Sequence, residues 1–427
     1  MTASPQHAAR DEQPAAEPDL SARPRYKNPI AVLLRHRNFR LFWLGQTGSV
    51  IGTWMQSVAR GWLALQLTNS PFMVGFVSAA GSLPVLVLTL YAGVVADRHE
   101  KLRMVKVTQS LLLVEATLLW WFDWSGHITI VWLVVISLLG GTFTAFDIPA
   151  RQALMVELVG REDVVDAIAL NSSGFNLARI IGPSVAAIVI AKWGLAWCFG
   201  LNALSFLLVE LGLFMIRLPP WARAAAVGSP MEGLVEGLRY MWRTREVRLL
   251  MSVVAVYSIF GIPYLVLMPV IARDTLHSGA QGYGILLAAV GVGAVAGAVS
   301  LAMAGHTLQR GRLLRLSTYF FCAFLVLFSL SRSLWLSSVL LLAVGLTMIV
   351  NNALANGLLQ TIAPDELRGR VMAAYAFVFV GMGPIGSLLA GGVADVVGAP
   401  AAIAIGAAVM LLFVWWMLGR RRELHHL

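Results

Sequence analysis

Long apolar runs separated by short polar clusters set the rhythm of the chain. A helix needs roughly 20 apolar residues to cross a hydrocarbon layer of about 30 Å. Cutting the runs at charge clusters and at Gly, Pro and Asn turns predicts twelve such helices, at about 41–67, 73–95, 104–123, 128–148, 166–190, 195–217, 249–271, 281–303, 313–331, 334–358, 371–394 and 399–418. Three junctions are tight and nearly uncharged: Thr68-Asn69-Ser70-Pro71, Asp123-Trp124-Ser125-Gly126-His127 and Val397-Gly398-Ala399-Pro400. Longer, charged connections alternate with them. The expected fold class is an all-α polytopic membrane protein.

The longest interior connection, 218–248, divides the chain into a six-helix bundle over 31–217 and another over 249–418. It opens with Pro219-Pro220. From Met231 to Arg248 its apolar residues recur at helical spacing beside Arg239, Arg243, Arg245 and Arg248, which predicts a short helix lying on the membrane surface. The halves echo one another. Ile181-Gly182-Pro183-Ser184 in the fifth span matches Met382-Gly383-Pro384-Ile385 in the eleventh, and each follows a cluster of charges. Such a repeat suits transporters that rock two pseudo-symmetric bundles about a central site. Residues 1–30 carry no apolar core of a signal peptide and predict a disordered cytoplasmic tail, and 419–427 form a basic tail.

Composition agrees with a lipid environment. Hydrophobic residues make up 58% and charged residues 13%, against about 25% charged in soluble domains. A net charge of +10 is compatible with nucleic-acid binding, but its placement argues otherwise. With the N-terminus put in the cytoplasm, 27 of the 32 Lys and Arg residues fall in the tails and even-numbered connections, or at the span edges beside them. Lys192, Arg273 and Arg332 lie in odd-numbered connections, and Arg60 and Arg179 within spans. This is the cytoplasmic bias of orientation signals. Both termini are therefore expected in the cytoplasm, with membrane lipid rather than nucleic acid as the partner of the basic groups. Cys198 and Cys322 both lie in apolar stretches and read as small core residues. No phosphate-binding Gly-rich loop and no Cys/His cluster is present. Neither an enzyme, a metal site nor a cofactor is expected, and the energy for pumping must come from an ion gradient or from the substrate's own gradient.

Charges inside a span are costly, about 2.5–3.5 kcal/mol at mid-helix, so each is a candidate for function. Glu115 sits in LLLVEATLL. Keeping it ionised there is expensive, so it could carry a proton, or it could be a structural acid paired with an Arg. Arg60 could bind an anionic substrate, neutralise Glu115 or snorkel to the surface. Arg179 is a good partner for a carboxylate and could line a cavity. Glu210 reads as structural. Gln46, Gln56, Asn171, Asn176, Tyr257, Tyr264, Asn351, Asn352 and Asn356 could read a substrate or hold helices together. Of these, Gln56, Asn176 and Asn352 join Glu115, Arg60, Arg179 and Glu210 as candidates for proton or substrate handling.

The run Gly93-Val94-Val95-Ala96-Asp97-Arg98-His99-Glu100-Lys101-Leu102-Arg103 resembles the signature loop of the major facilitator superfamily. That resemblance implies a latch that holds the cytoplasmic side closed, built from Gly93, Asp97, Arg98 and Lys101. Lys101 or Arg98 would pair with Asp147, and Asp97 would face the helix that begins just after Arg370. Glu100 stands where the family usually has a second Gly, and His306 stands where the second half would carry the acid. Phe146-Asp147-Ile148-Pro149-Ala150-Arg151, Arg37-Asn38-Phe39-Arg40 and Leu367-Arg368-Gly369-Arg370-Val371 are similar to the enterobactin-exporter-type branch, over most of 31–418. Gly182-Pro183 resembles the fifth-span motif of the superfamily's antiporters, with Ala186 and Ala187 in place of Gly. The branch implies a bacterial cytoplasmic membrane and proton-coupled export of a small, partly hydrophobic compound such as a drug or a siderophore-like metabolite. A nutrient importer and a non-transporting receptor are the alternatives.

Overall fold

The computed structural model describes residues 29–218, 230–304, 309–364 and 367–419, and all regular structure there is helical. The predicted tails, up to residue 28 and beyond 419, lie outside the described residues, as do Pro219-Pro220 and His306. A short helix α1 (Pro29–Arg35) precedes α2 (Arg37–Thr68), α3 (Pro71–Arg98) and α4 (Lys101–Trp124). Then come α5 (Ile130–Gly160) and α6 (Glu162–Trp193), α7 (Ala196–Met215) and α8 (Pro230–Arg243). The second half holds α9 (Arg245–Thr275), α10 (Gly279–Ala304), α11 (Arg310–Leu330), α12 (Leu334–Ile362), α13 (Arg368–Val397) and α14 (Ala399–Gly419).

Ten of these helices are long and apolar enough to cross a membrane. The helices α2 and α4 have the length, but Gln46, Gln56 and Arg60 in one and Lys106 and Glu115 in the other dilute their apolar runs. Large apolar side chains such as Val87, Leu208, Trp335 and Val339 stand more than half exposed on the outside of the helices. Such a belt is stable only in hydrocarbon, where the backbone bonds of each helix are satisfied internally.

The tight junctions form as their residues dictate. Asn69 takes the left-handed conformation (φ 53°) that ends α2, and the Ser70 hydroxyl accepts from the Met73 N–H at 3.3 Å to cap α3. Pro71 opens that helix, where its missing N–H costs nothing. Gly194 and Gly398 turn the chain at positive φ.

Two connections differ from the sequence reading. The charged stretch after the fourth span is helical up to a kink at Gly160 (φ 75°), so α5 and α6 nearly abut. Charge density marks where a helix leaves lipid, and a helix can continue past that point into water. The surface helix ends at Arg243 rather than Arg248, because Thr244 is extended (φ −92°, ψ 114°). α9 also contains two π-helical turns, Tyr257–Gly261 and Ile271–Thr275.

Small residues set the closest crossings. A Cβ on Gly345 of α12 would strike the Val290 carbonyl of α10, and one on Gly293 would strike the Leu342 carbonyl in return. Two further crossings join the first half to the second. Gly75 of α3 lies on the Ser387 carbonyl of α13, and Gly284 of α10 approaches the Pro183 carbonyl and Ala187 of α6. Close backbone approach of this kind is the main source of helix association in lipid. Gly345→Val therefore forces two backbones apart and should remove at least about 3 kcal/mol of stability, read as a lower thermal midpoint in detergent. Gly357→Ala, which meets nothing within 4 Å, should leave the midpoint unchanged.

Candidate functional site

Within the first half, four helices converge on a buried polar chain. Glu115 of α4 is 3% exposed. Gln56 Nε2 of α2 donates to both its oxygens, at 2.8 and 3.2 Å. Asn202 Nδ2 of α7 donates to Gln56 Oε1 at 2.8 Å, and Ser205 Oγ donates to Asn202 Oδ1 at 3.2 Å. Arg60 Nη2 stands 3.8 Å from Glu115 Oε1, and its buried Nε has no acceptor among the described residues. Gly140 of α5 makes the room: a Cβ there would lie 2.9 Å from Glu115 Oε1. Glu115 and Gln56 thus find their partners on neighbouring helices, while Arg60 keeps donor capacity to spare.

Arg179, expected to share this site, lies elsewhere. It sits midway along α6, and its electrostatic neighbours are the phenols of Tyr257 and Tyr264 on α9, in the other half. Gly182-Pro183, one turn on, marks a double crossing. A Cβ on Gly182 would lie 2.9 Å from the Ile51 carbonyl of α2, and Pro183 faces Gly284 of α10. The remaining candidates do not join either group. Ser110 Oγ donates to Glu210 at 2.7 Å, tying α4 to α7. Asn176 donates to the Ser172 carbonyl of its own helix at 2.9 Å. Asn352 is half-buried on α12, beside Asn351, which accepts from Thr318 at 2.7 Å.

At the basic end of the helices, Asp147 is 1% exposed. It is held by Arg151 one turn on, 2.5 Å away, and accepts from Thr108 at 2.8 Å and Gln109 at 3.0 Å. The expected partners were Arg98 and Lys101. Lys101 instead donates to the Asp97 carbonyl at 3.5 Å, and Asp97 and Arg98 are exposed. A Cβ at Gly93 would meet nothing within 4 Å, so this glycine is not at a close crossing here. Arg370 pairs with Glu236 of α8, whose Gly237 lies on the Arg370 carbonyl. A cleft of about 520 Å³ opens beside the Asp97–Arg103 segment, rimmed by Arg98 and Arg103 and walled by Leu111, Phe143 and Phe146. It lies within the first half and is not the passage between halves.

The opposite end is gripped across the halves. Arg273 Nη1 of α9 donates to Asn69 Oδ1 at 2.7 Å and to the Leu65 carbonyl at 3.3 Å. Asp395 of α13 accepts from the Ser70 hydroxyl at 2.8 Å and the Phe72 N–H at 3.4 Å. A cation thus meets the C-terminus of α2 and an anion the N-terminus of α3, each the sign that the helix dipole favours. Trp62 stacks on Tyr283 of α10 nearby, ring centroids 6.2 Å apart. The sequence counted Arg273 only as a misplaced charge and passed over Asp395 and Asn202. Asn202 had a signal, being a lone amide in an apolar run.

The profile of a family described as transmembrane secretion effector matches residues 29–425. The chain is 29% identical over 387 residues to the multidrug efflux pump Tap of Mycolicibacterium fortuitum, spanning 87% of this chain and 93% of that protein. It is 26% identical over 391 residues to the enterobactin exporter EntS of Shigella flexneri, spanning 91% and 92%. In fold it matches the nucleoside transporter NupG, with a TM-score of 0.72 at 10% identity over 92% of this chain and 99% of that one. It also matches a bacterial homologue of the human lysosomal transporter Spinster, with a TM-score of 0.67 at 13% identity over 93% and 96%.

Two outcomes follow from the geometry. Arg151→Ala strands a buried carboxylate and should cost about 3–5 kcal/mol, seen as a lower thermal midpoint that Arg151→Lys restores only in part. Arg273→Gln combined with Asp395→Asn should raise the alkylation rate of a cysteine placed at Trp62 several-fold; an unchanged rate would mean the clasp holds nothing shut.

Proposed function

Because the chain belongs to the transmembrane secretion effector family of the major facilitator superfamily, whose members are membrane transporters rather than enzymes, we propose that it exports a small, partly hydrophobic compound in exchange for protons. Twelve spans form two six-helix bundles, 31–217 and 249–418, linked by 218–248, in a bacterial cytoplasmic membrane with both termini inside. The basic connections then face the cytoplasm, and the clasped turn at 68–71 faces out.

The observation that carries the reading is the Glu115 chain. A carboxylate this deep in hydrocarbon needs a positive partner or a proton. Arg60 at 3.8 Å supplies the first without a direct hydrogen bond, so the two can exchange places at small cost. When Glu115 takes a proton on Oε1, Arg60 is freed from it; when the proton leaves, Arg60 is drawn back. Gln56 and Asn202 hold the carboxyl in place in both forms. One charge therefore moves with each proton, which is what coupling to a second event requires.

Alternating access supplies that second event. The Arg273 and Asp395 grips and the Trp62–Tyr283 stack support a state closed outside. The exposed Asp97–Arg98 segment and the Arg370–Glu236 pair support a latch released inside. In the outward-open state Asp97 would meet the start of α13 in place of Glu236. The relatives named as a multidrug efflux pump and an enterobactin exporter support export as the direction.

In proteoliposomes with an imposed pH gradient, Glu115→Gln should cut gradient-driven transport of a dye panel at least tenfold. Its folding should be unaffected, because Gln preserves the shape and still accepts from Gln56. Gradient-driven transport left intact in that variant would sink the assignment.

A further inference from the structure

Midway through the membrane the two halves present unspent donors to one another. Arg179 Nε is buried and has no acceptor among the described residues. The Tyr257 hydroxyl is likewise buried and unpartnered, in a residue 4% exposed. Tyr264, 2% exposed, has only the Met348 sulfur for its hydroxyl, at 3.9 Å, and a thioether is a weak acceptor. The guanidinium and both phenols lie within electrostatic range of one another. Buried polar groups in native proteins are nearly always paired, so an unpartnered guanidinium N–H and an unpartnered phenol, beside a second phenol that meets only a thioether, describe half of a site.

The local backbone is built to hold this arrangement. Tyr257 starts a π-helical turn, closed by the Ile262 N–H donating to the Tyr257 carbonyl at 3.0 Å; such turns are frequent at functional sites. Gly261 leaves space for the ring, since a Cβ there would lie 3.1 Å from Tyr257 Cδ2 and 3.2 Å from a carbon of Phe321. Phe321 packs between the two phenols, with ring centroids 5.2 Å from Tyr257 and 6.3 Å from Tyr264. The donors are therefore set in an aromatic wall that is itself fixed.

We infer that Arg179, Tyr257 and Tyr264 form the subsite for an anionic head group of the substrate, a carboxylate or its equivalent. The inference rests on the transport reading above and gives that reading a substrate class. A carboxylate accepts the guanidinium in a planar fork and a phenol on each remaining lone pair. Because Arg179 belongs to one half and the tyrosines to the other, the bound anion also bridges the surfaces that must move. Glu115 and Arg60 are a separate unit, so proton and substrate charges are not read by the same side chain.

Equilibrium binding separates this subsite from the coupling mechanism, because it needs no gradient. Purified protein in nanodiscs is titrated with benzoate, 2-naphthoate and indole-3-acetate and with their neutral amides. In the wild type at least one carboxylate should bind tenfold or more tightly than its amide. Arg179→Gln should abolish that preference, Arg179→Lys should keep part of it, and Tyr257→Phe should weaken the carboxylate several-fold while barely changing the amide. No preference in the wild type, or the same preference in Arg179→Gln, overturns the proposal. The preference is read at one pH with no gradient, so loss of gradient-driven transport with the preference intact indicts the coupling, and loss of the preference indicts this subsite.

Discussion

A polar atom inside hydrocarbon must find its partner on a neighbouring helix, because neither water nor lipid will provide one. That constraint organises the interior. It threads Glu115, Gln56, Asn202 and Ser205 through α4, α2 and α7 as a single chain of hydrogen bonds. It surrounds Asp147 with Arg151, Thr108 and Gln109. The same rule gives weight to its exceptions. Where Arg179 and Tyr257 find no acceptor, the missing partner is itself informative.

Packing between helices follows from a second feature of lipid: apolar side chains gain little by leaving one oily phase for another. What remains is contact, and glycine permits the most. The crossings at Gly75 and Gly284 bring backbone to backbone where the first half meets the second. Surfaces that touch through backbone hold no large side chains that a rocking motion would have to repack.

Much of the helix pattern was legible in the sequence, because span length and turn residues are local. The Thr68–Pro71, Asp123–His127 and Val397–Pro400 junctions fall where the pattern put them. The long α5 was not legible, because apolar length reports the thickness of lipid and says nothing of helix that continues into water. Of the site, Glu115 and Arg60 stood out as lone charges in apolar runs. Their pairing, and the separation of Arg179 from them, depended on which turn of each helix faces which neighbour. Arg151 escaped notice as the partner of Asp147 because the family likeness drew attention to Lys101 and Arg98. The Arg273 and Asp395 grips involve residues far apart in sequence, at helix ends that no periodicity links.

The double grip on the 69–72 turn bears on leakage. Breaking one prong frees a single side chain while the other still pins the turn, so a half-released gate has lost a bond and gained almost no freedom. The two prongs therefore tend to let go together. On the transport reading, a doorway that opens as a unit would spend little time ajar, and a membrane that stores energy as an ion difference would be served by that brevity.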